Sequence, residues 1–391
     1  MRRGVVGLFV VLLASSPAAS WARASATRAA PTVSLHASTA IVDFGGEVKL
    51  SGAVDPATKG QTIELRDAAG ALLTTLSTGS RGRFATAMKP RANAELHATW
   101  IEQGVDSAAV GVRVRPVVRV GLTDVRLFGS ALARGSVRPA RAGGRIRVEL
   151  LRGGHVALVR RVAMGAAGGF RTRLPIERVG SYRVRATFDP TDLAPGRAMS
   201  STGTTPLPPL LDGSRGPFVR LLEGRLADLD YHLVGIDQRY DARTGDAVLA
   251  FQKIQGMPRK ANVTEAVWRA LADPKRPRPR STARGLHIEV DLRSQVLFTV
   301  EDGKVHAILH VSTGKPSTPT NPGMFQVYRK FAGYSGNQLY YPSYFDGLRA
   351  IHGWPDVPTY PASHGCVRAP MWAAKWIYGL ASIGTKVLVH S

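Results

Sequence analysis

Between Pro31 and Ser201 apolar and polar residues alternate with a period of two, broken by short turns. In "SYRVRATF" Tyr182, Val184, Ala186 and Phe188 fall on one face, and Arg183, Arg185 and Thr187 on the other. That is the mark of a half-buried strand. The pattern occurs twice: Ser51–Leu65 aligns with Arg134–Val148, Gly82–Phe84 with Gly168–Phe170, and His97–Trp100 with Arg185–Phe188. The offset drifts from 83 to 88 residues, as loop insertions produce. Two tandem β-sandwich modules, loosely immunoglobulin-like, are predicted at 31–115 and 116–201. Neither contains residues that suggest chemistry, so both read as spacers or contact modules.

The period changes after the Pro/Gly-rich stretch Thr202–Gly216. Val219, Leu222, Leu226 and Leu229 recur at spacings of three and four, followed by Tyr231. A second helix carries Ala247, Val248, Phe251 and Gln252, and a short third carries Val267, Trp268 and Leu271. These make a three-helix module at 214–272. Asp273–Arg284, "DPKRPRPRSTAR", reads as a basic, proline-rich tether, extended and semi-rigid. From 285 to 391 the strand period returns: Leu286, Ile288, Val290 and Leu292 alternate, and Asp302-Gly303 supplies the positive-φ pair of a hairpin. "GMFQVYRKF" and "TKVLVHS" read as further strands. Pro370 can open a short helix with Trp372, Trp376 and Leu380 packed on one side. The fold class is therefore multidomain and mainly β, with one helical module and a β-rich C-terminal domain.

Charge and compartment change the picture next. Arg2 and Arg3, the apolar run Val5–Ala14 and the small residues around Ala22-Arg23-Ala24 have the layout of a cleaved signal peptide over 1–26. The apolar run is about half the roughly 20 residues that a spanning helix needs, which disfavours a membrane anchor. No cysteine follows it, which excludes a lipid anchor of the lipobox type. The formal charge is +24, and it remains +21 without the three arginines of the leader. Such a charge favours anionic partners: nucleic acid, membrane headgroups, or wall polymers carrying carboxylates and phosphates. Export makes nucleic acid the least favoured, and solvated arginine faces are the bland alternative.

The chain has one cysteine, Cys366, within "YPASHGCVRAP". An exported protein cannot form an internal disulfide with it. The open readings are an intermolecular bridge, an inert buried thiol, or a nucleophile. Six of the ten histidines lie in the last domain, with His352 and His364 near the cysteine in sequence. His364, two residues away on a tight turn, is poorly placed to aim at the thiol, so His352 is the expected base, reaching across adjacent strands. Gly365 permits a turn in which backbone N–H groups of His364 to Cys366 converge on an oxyanion. Arg368 suits a substrate carboxylate. Zinc on His352, His364 and Cys366 lacks a further donor in any metal-like spacing, so no metal or cofactor is expected.

Two resemblances follow. Val219, Leu222, Leu226, Tyr231, Asp237, Thr244, Ala247-Val248, Phe251-Gln252, Gly256, Trp268 and Leu271 resemble the helical peptidoglycan-binding domain type 1, with Asp241 standing where a glycine is usual. "IHGWPDVPTYPASHGCVR" looks like the catalytic signature of the L,D-transpeptidases, and Val311–Phe325 is similar to the loop and strand that precede it. The second resemblance implies a β-rich catalytic domain over 285–391 that forms 3→3 cross-links between peptidoglycan tetrapeptide stems through a cysteine thioester. Cys366 is then the nucleophile and His352 the general base and acid. His364 and Gly365 supply backbone oxyanion donors, and Arg368, Ser363 and Gly353 line the substrate. Peptidoglycan, its stem peptides and anionic wall polymers are the implied partners, with carbapenems as acylating inhibitors. The alternatives are an L,D-carboxypeptidase or cysteine peptidase on wall peptides, or a non-catalytic wall-binding protein.

Overall fold

The computed structural model describes residues 29–141 and 143–391, so the leader reading over 1–26 lies outside the described residues. The chain divides into two compact units, one of residues up to 115 with 192–194, the other of 116–191 and 195–391. In the first unit Val48–Asp55 is central to one sheet, paired with Thr32–Val33, His36–Ala37 and Arg83–Met88. A second sheet runs Ile41–Asp43, Val110–Arg115, Ala94–Trp100, Thr62–Asp67 and Leu72–Ser77. Leu50, Ile63, Leu65, Leu96 and Trp100 fill its core.

The second unit begins with another sandwich. A three-stranded sheet of Val117–Thr123, Gly129–Arg138 and Gly169–Ile176 packs with a sheet centred on Arg145–Arg152 and Ser181–Phe188. Tyr182, Val184, Ala186 and Phe188 are all buried. The sequence repeat has a packing counterpart in the two sandwiches. A side chain at Gly52 would strike the Phe84 ring at 2.3 Å and the Ser34 carbonyl at 2.0 Å. At Gly135 it would meet Phe170 at 2.5 Å and the Arg119 carbonyl at 2.0 Å. Each glycine admits an aromatic ring and a neighbouring strand at the same point of the repeat.

Three helices follow: α1 (Pro217–Ala227), α2 (Ala242–Gln255) and α3 (Glu265–Ala272). Pro217 sits at the start of α1, where its missing N–H costs nothing. Asp241 caps α2, its side chain accepting from the Arg243 and Thr244 amides, and Gly256 closes it in the left-handed conformation. The aspartate in the usual glycine's place thus has a physical role.

In the C-terminal domain we number the strands β1 (Leu286–Asp291), β2 (Val296–Glu301), β3 (Lys304–His310), β4 (Gly323–Gln326), β5 (Arg329–Lys330), β6 (Tyr340–Asp346), β7 (Arg349–Trp354), β8 (Val367–Pro370) and β9 (Lys386–His390), with helix α4 (Met371–Leu380). One sheet has the order β3-β2-β1-β9-β4, the other β5-β6-β7-β8. β7 and β8 are parallel, as are β1 and β9. Asp302 and Gly303 both take positive φ at the β2–β3 hairpin, as their sequence requires.

β2 is buried on both faces. Leu297 joins Ile288, Val290, Leu309, Val387 and Val389 in a core shared with the second sheet and α4. Val296, Phe298, Val300 and, from β3, Ile308 join α1, α2 and α3 in another. Each such side chain contributes about 1.5–3 kcal/mol when fully buried. The open edge of β3 is covered by the chain leaving α1: the His232 amide donates to the Ile308 carbonyl at 3.0 Å, and the Ile308 amide to Asp230 at 2.8 Å. His232 also stacks on Trp376 at 3.9 Å and Trp372 at 5.5 Å, so the tryptophan stripe of α4 packs against the helical module.

The expected tether is a pinned strap. Gln255 exchanges two hydrogen bonds with the backbone of Lys275, both 2.9 Å long. The buried carboxylate of Glu289 accepts from the amides of Arg280 and Ser281 at 2.9 and 2.8 Å. The stretch Thr202–Gly216 is likewise held: Leu210 is buried and bridged to Val263, and Trp268 donates to the Pro208 carbonyl at 2.8 Å. No helix among the described residues is long and apolar enough to cross a membrane.

Candidate active site

Cys366 ends a tight turn just before β8. β7 and β8 pair in parallel, Ile351 with Val367 and His352 with Arg368, so Cys366, the residue just before β8, lies beside the start of β7, 14 positions after His352 in the chain.

His352 is 3% exposed. Its Nδ1 lies 2.9 Å from the Gly353 carbonyl, an acceptor, so Nδ1 carries the hydrogen and Nε2 keeps its lone pair. Burial pulls its pKa down to about 4, with the Arg368 charge adding to the effect. The ring is therefore a neutral base at pH 7. Gly353 is where the fold needs no side chain: a Cβ there would meet Ala374 at 2.7 Å and the Tyr340 ring at 3.0 Å. Gly353 is buried, and its carbonyl orients the histidine.

The turn is built from its own residues. Ser363 is 1% exposed; its hydroxyl donates to the Cys366 carbonyl at 2.6 Å and accepts from the Gly365 amide at 3.1 Å. Ser363 braces the turn from inside, and the Gly365 N–H is engaged by its hydroxyl. The segment after β3 wraps this turn: Thr320 donates to the Gly365 carbonyl at 2.9 Å, Thr318 to that of Ser363 at 3.1 Å, and the Lys315 amide to Ser363 at 2.9 Å. His364 points outward, its Nε2 3.3 Å from Lys315 Nζ. It takes no part in holding the thiol.

Gly365 has φ +109°, a conformation L side chains rarely adopt. A Cβ there would also lie 2.8 Å from Arg349 Nε. Arg349 is the residue that sequence reasoning missed. It lies across the turn, its Nε donating to the Pro319 carbonyl at 3.2 Å and its Nη1 pairing with Asp346 at 3.0 Å. Only the close approach over Gly365 reveals it; no motif signals it. Arg368 packs its guanidinium over the Trp354 ring, 5.2 Å from the centroid.

The thiol is partly exposed, with Sγ 3.8 Å from the Leu348 carbonyl. Burial pushes its pKa up, while the Ala350 amide and the charges of Arg349 and Arg368 pull it back. At neutral pH the resting pair is thus a thiol and a neutral imidazole. Among the described residues no group of three or more His, Cys, Asp or Glu side chains could hold a metal ion.

Comparisons with known proteins now bear on this geometry. The L,D-transpeptidase catalytic domain profile matches residues 285–389, and the peptidoglycan binding domain profile matches 215–271. A solved L,D-transpeptidase from Xylanimonas cellulosilytica is 37% identical over 48% of this chain and 99% of its own, with a TM-score of 0.45. The chain belongs to the L,D-transpeptidases. A second solved L,D-transpeptidase, from Stackebrandtia nassauensis, is 27% identical over 48% of this chain and 98% of its own, with a TM-score of 0.32. The catalytic domain of an E. faecium L,D-transpeptidase is 29% identical over 28% of this chain and all of its own, with a TM-score of 0.25. No curated protein matches. This L,D-transpeptidase thus joins a peptidoglycan-acting domain to a peptidoglycan-binding one, which associates it with the cell wall.

Proposed function

We propose that this L,D-transpeptidase is exported to the wall and forms 3→3 cross-links through a thioester on Cys366. The observation that carries the reading is the His352 ring: buried, neutral, with Nδ1 tied to Gly353 and Nε2 left as the lone-pair nitrogen, on the strand that runs beside the Cys366 turn. A stem tetrapeptide presents the carbonyl between its third residue and D-Ala. Cys366 Sγ attacks that carbon while its proton passes to His352 Nε2. The carbonyl electrons move to oxygen, where the backbone N–H groups of Cys366 and His364 meet the charge. When the intermediate collapses, the bond to D-Ala breaks and His352 returns the proton to the departing amine. The side-chain amine of a second stem then attacks the thioester, loses its proton to His352, and Cys366 leaves as the thiol's sulfur and is reprotonated. Arg368 holds a stem carboxylate near the nucleophile.

Water in place of the second amine would make the same site an L,D-carboxypeptidase. A wall-binding protein with no chemistry is disfavoured by the intact thiol, imidazole and braced turn. Incubation of the full chain with tetrapeptide stems tests the reading. Intact mass should show a tripeptide thioester absent from Cys366→Ala, and the products should include cross-linked dimers. Free tripeptide alone would establish the carboxypeptidase, and no adduct with either stems or a carbapenem would sink the enzymatic reading.

A further inference from the structure

Helix α2 presents a lysine to the catalytic domain where packing alone would call for an apolar residue. Lys253 is 4% exposed. Its Nζ donates to the carbonyls of Gln295 and Val311 at 2.7 and 2.9 Å and faces His310 Nδ1 at 2.5 Å. Three acceptors match the three hydrogens of an ammonium. With Nδ1 accepting, His310 carries its hydrogen on Nε2, which lies 2.8 Å from the Val357 carbonyl and donates to it. Beyond α2, Arg259 Nη1 donates to the Thr359 carbonyl at 2.5 Å. Both end points lie on the segment 355–361, which joins β7, with His352, to the turn before Cys366. Val311 leads into Ser312, whose backbone exchanges bonds of 3.0 and 2.8 Å with Arg368 and whose hydroxyl donates to Tyr360 at 2.7 Å.

Burying an ammonium is costly unless every hydrogen is paired in good geometry, and a methionine of similar length would fill the joint without that cost. What the lysine adds is direction: two hydrogen bonds to the backbone carbonyls of Gln295 and Val311, and a third to His310, which in turn donates to the Val357 carbonyl. Burial pulls Lys253 down to about 6 and His310 to about 3; the three acceptors around Nζ oppose loss of the lysine's proton, and His310 is the neutral relay that the tautomer requires.

We propose that Lys253 and Arg259 of the peptidoglycan-binding module are positioning residues of the transpeptidase site, holding the segment that spans His352 to Cys366. The binding module is then a structural part of the active site as well as an anchor. The inference rests on Cys366 and His352 being the reacting pair. Its physical content, the ordering of 355–361, is separable from turnover.

The test uses the full chain with Lys253→Met, Arg259→Ala and Arg259→Lys. Stem-peptide kcat and KM are measured beside amide exchange of 355–361 and the rate of Cys366 alkylation by iodoacetamide. Lys253→Met should lower kcat about 10–100-fold with KM within about twofold, as expected when reacting groups drift by an ångström. Arg259→Ala, whose half-buried side chain endangers the fold less, should lower kcat about 3–10-fold, and Arg259→Lys should restore most of it. In both damaged variants 355–361 should exchange faster and Cys366 should alkylate at a changed rate, while β1 and β2 keep wild-type protection. Wild-type kcat and exchange in both variants would overturn the proposal. So would a loss accompanied by faster exchange throughout the catalytic domain, which marks a merely structural role. If the wild type shows no turnover, the proposed function fails, while exchange and alkylation still decide the positioning claim.

Discussion

The second sandwich and the catalytic domain are both β-rich, yet they treat polar groups in opposite ways. In the sandwich strand Ser181–Phe188 every second residue is buried and those between are exposed or partly so. Its one buried carboxylate, Glu149, meets two arginines, Arg147 and Arg185, whose side chains reach solvent. In the catalytic domain β1 and β2 are buried almost throughout, because the helical module covers the face that a sandwich leaves wet. His310, Glu289 and Ser363 there, and Lys253 of the α2 helix packed against that domain, are all buried, each with several partners. Buried polar groups gather where the sheet is covered twice, and there they lose solvent and become directional.

The sharpest break of the comparison is at the thiol. Cys366→Ala should abolish any covalent adduct with stem peptide or carbapenem, read by intact mass, with the thermal midpoint unchanged to within a few degrees. An adduct surviving in that variant would move the chemistry elsewhere. Next, His352→Asn should slow acylation by about 10²–10⁴-fold, the range for losing a general base. An unchanged rate would leave the neutral imidazole without a task. Gly365→Ala comes third, because it forces a side chain into positive φ and against Arg349. It should destabilise by about 1–3 kcal/mol and slow acylation too, whereas Gly169→Ala in the sandwich, with open space around it, should change neither.

The smallest effect is on stability against pH. His352 and His232 are held neutral by burial, with pKa values of about 4 against an ordinary 6.5. A depressed pKa means the unfolded chain binds protons first. Their contribution is therefore complete above pH 6.5 and lost as pH falls toward 4. Glu149 has its pKa lowered chiefly by its hydrogen bond from Arg185, so its contribution is full above 4.5 and is lost only below that. Amide exchange followed on acidification should weaken the catalytic domain first and the sandwich later. The reverse order would contradict the contrast between the two regions.

The short-range features were legible in sequence. The period of two in 181–188, the three-to-four spacing of Val219, Leu222 and Leu226, and the Asp302-Gly303 turn each depend on neighbours within one element. So does the signature around Cys366, because a tight turn before a strand is a local object. Even the missing glycine at Asp241 could have been read as a helix cap. The roles of Ser363, Gly353 and Gly365 were not legible, since they turn on which hydrogen bonds the packed turn already uses. Arg349 was invisible because its place over Gly365 follows from β7 lying beside β8. The proline-rich strap read only as a semi-rigid tether because its anchors, Gln255 and Glu289, belong to other elements.

The sequence by itself determined the elements and their order and singled out the candidate pair, because periodicity, caps and turn residues act over a few positions. Tertiary structure alone decided that the binding module shares a core with the catalytic domain, that Lys253 reaches His310, and that Ser363 faces inward. Those outcomes rest on burial and hydrogen-bond geometry between segments far apart in the chain, which no local pattern encodes.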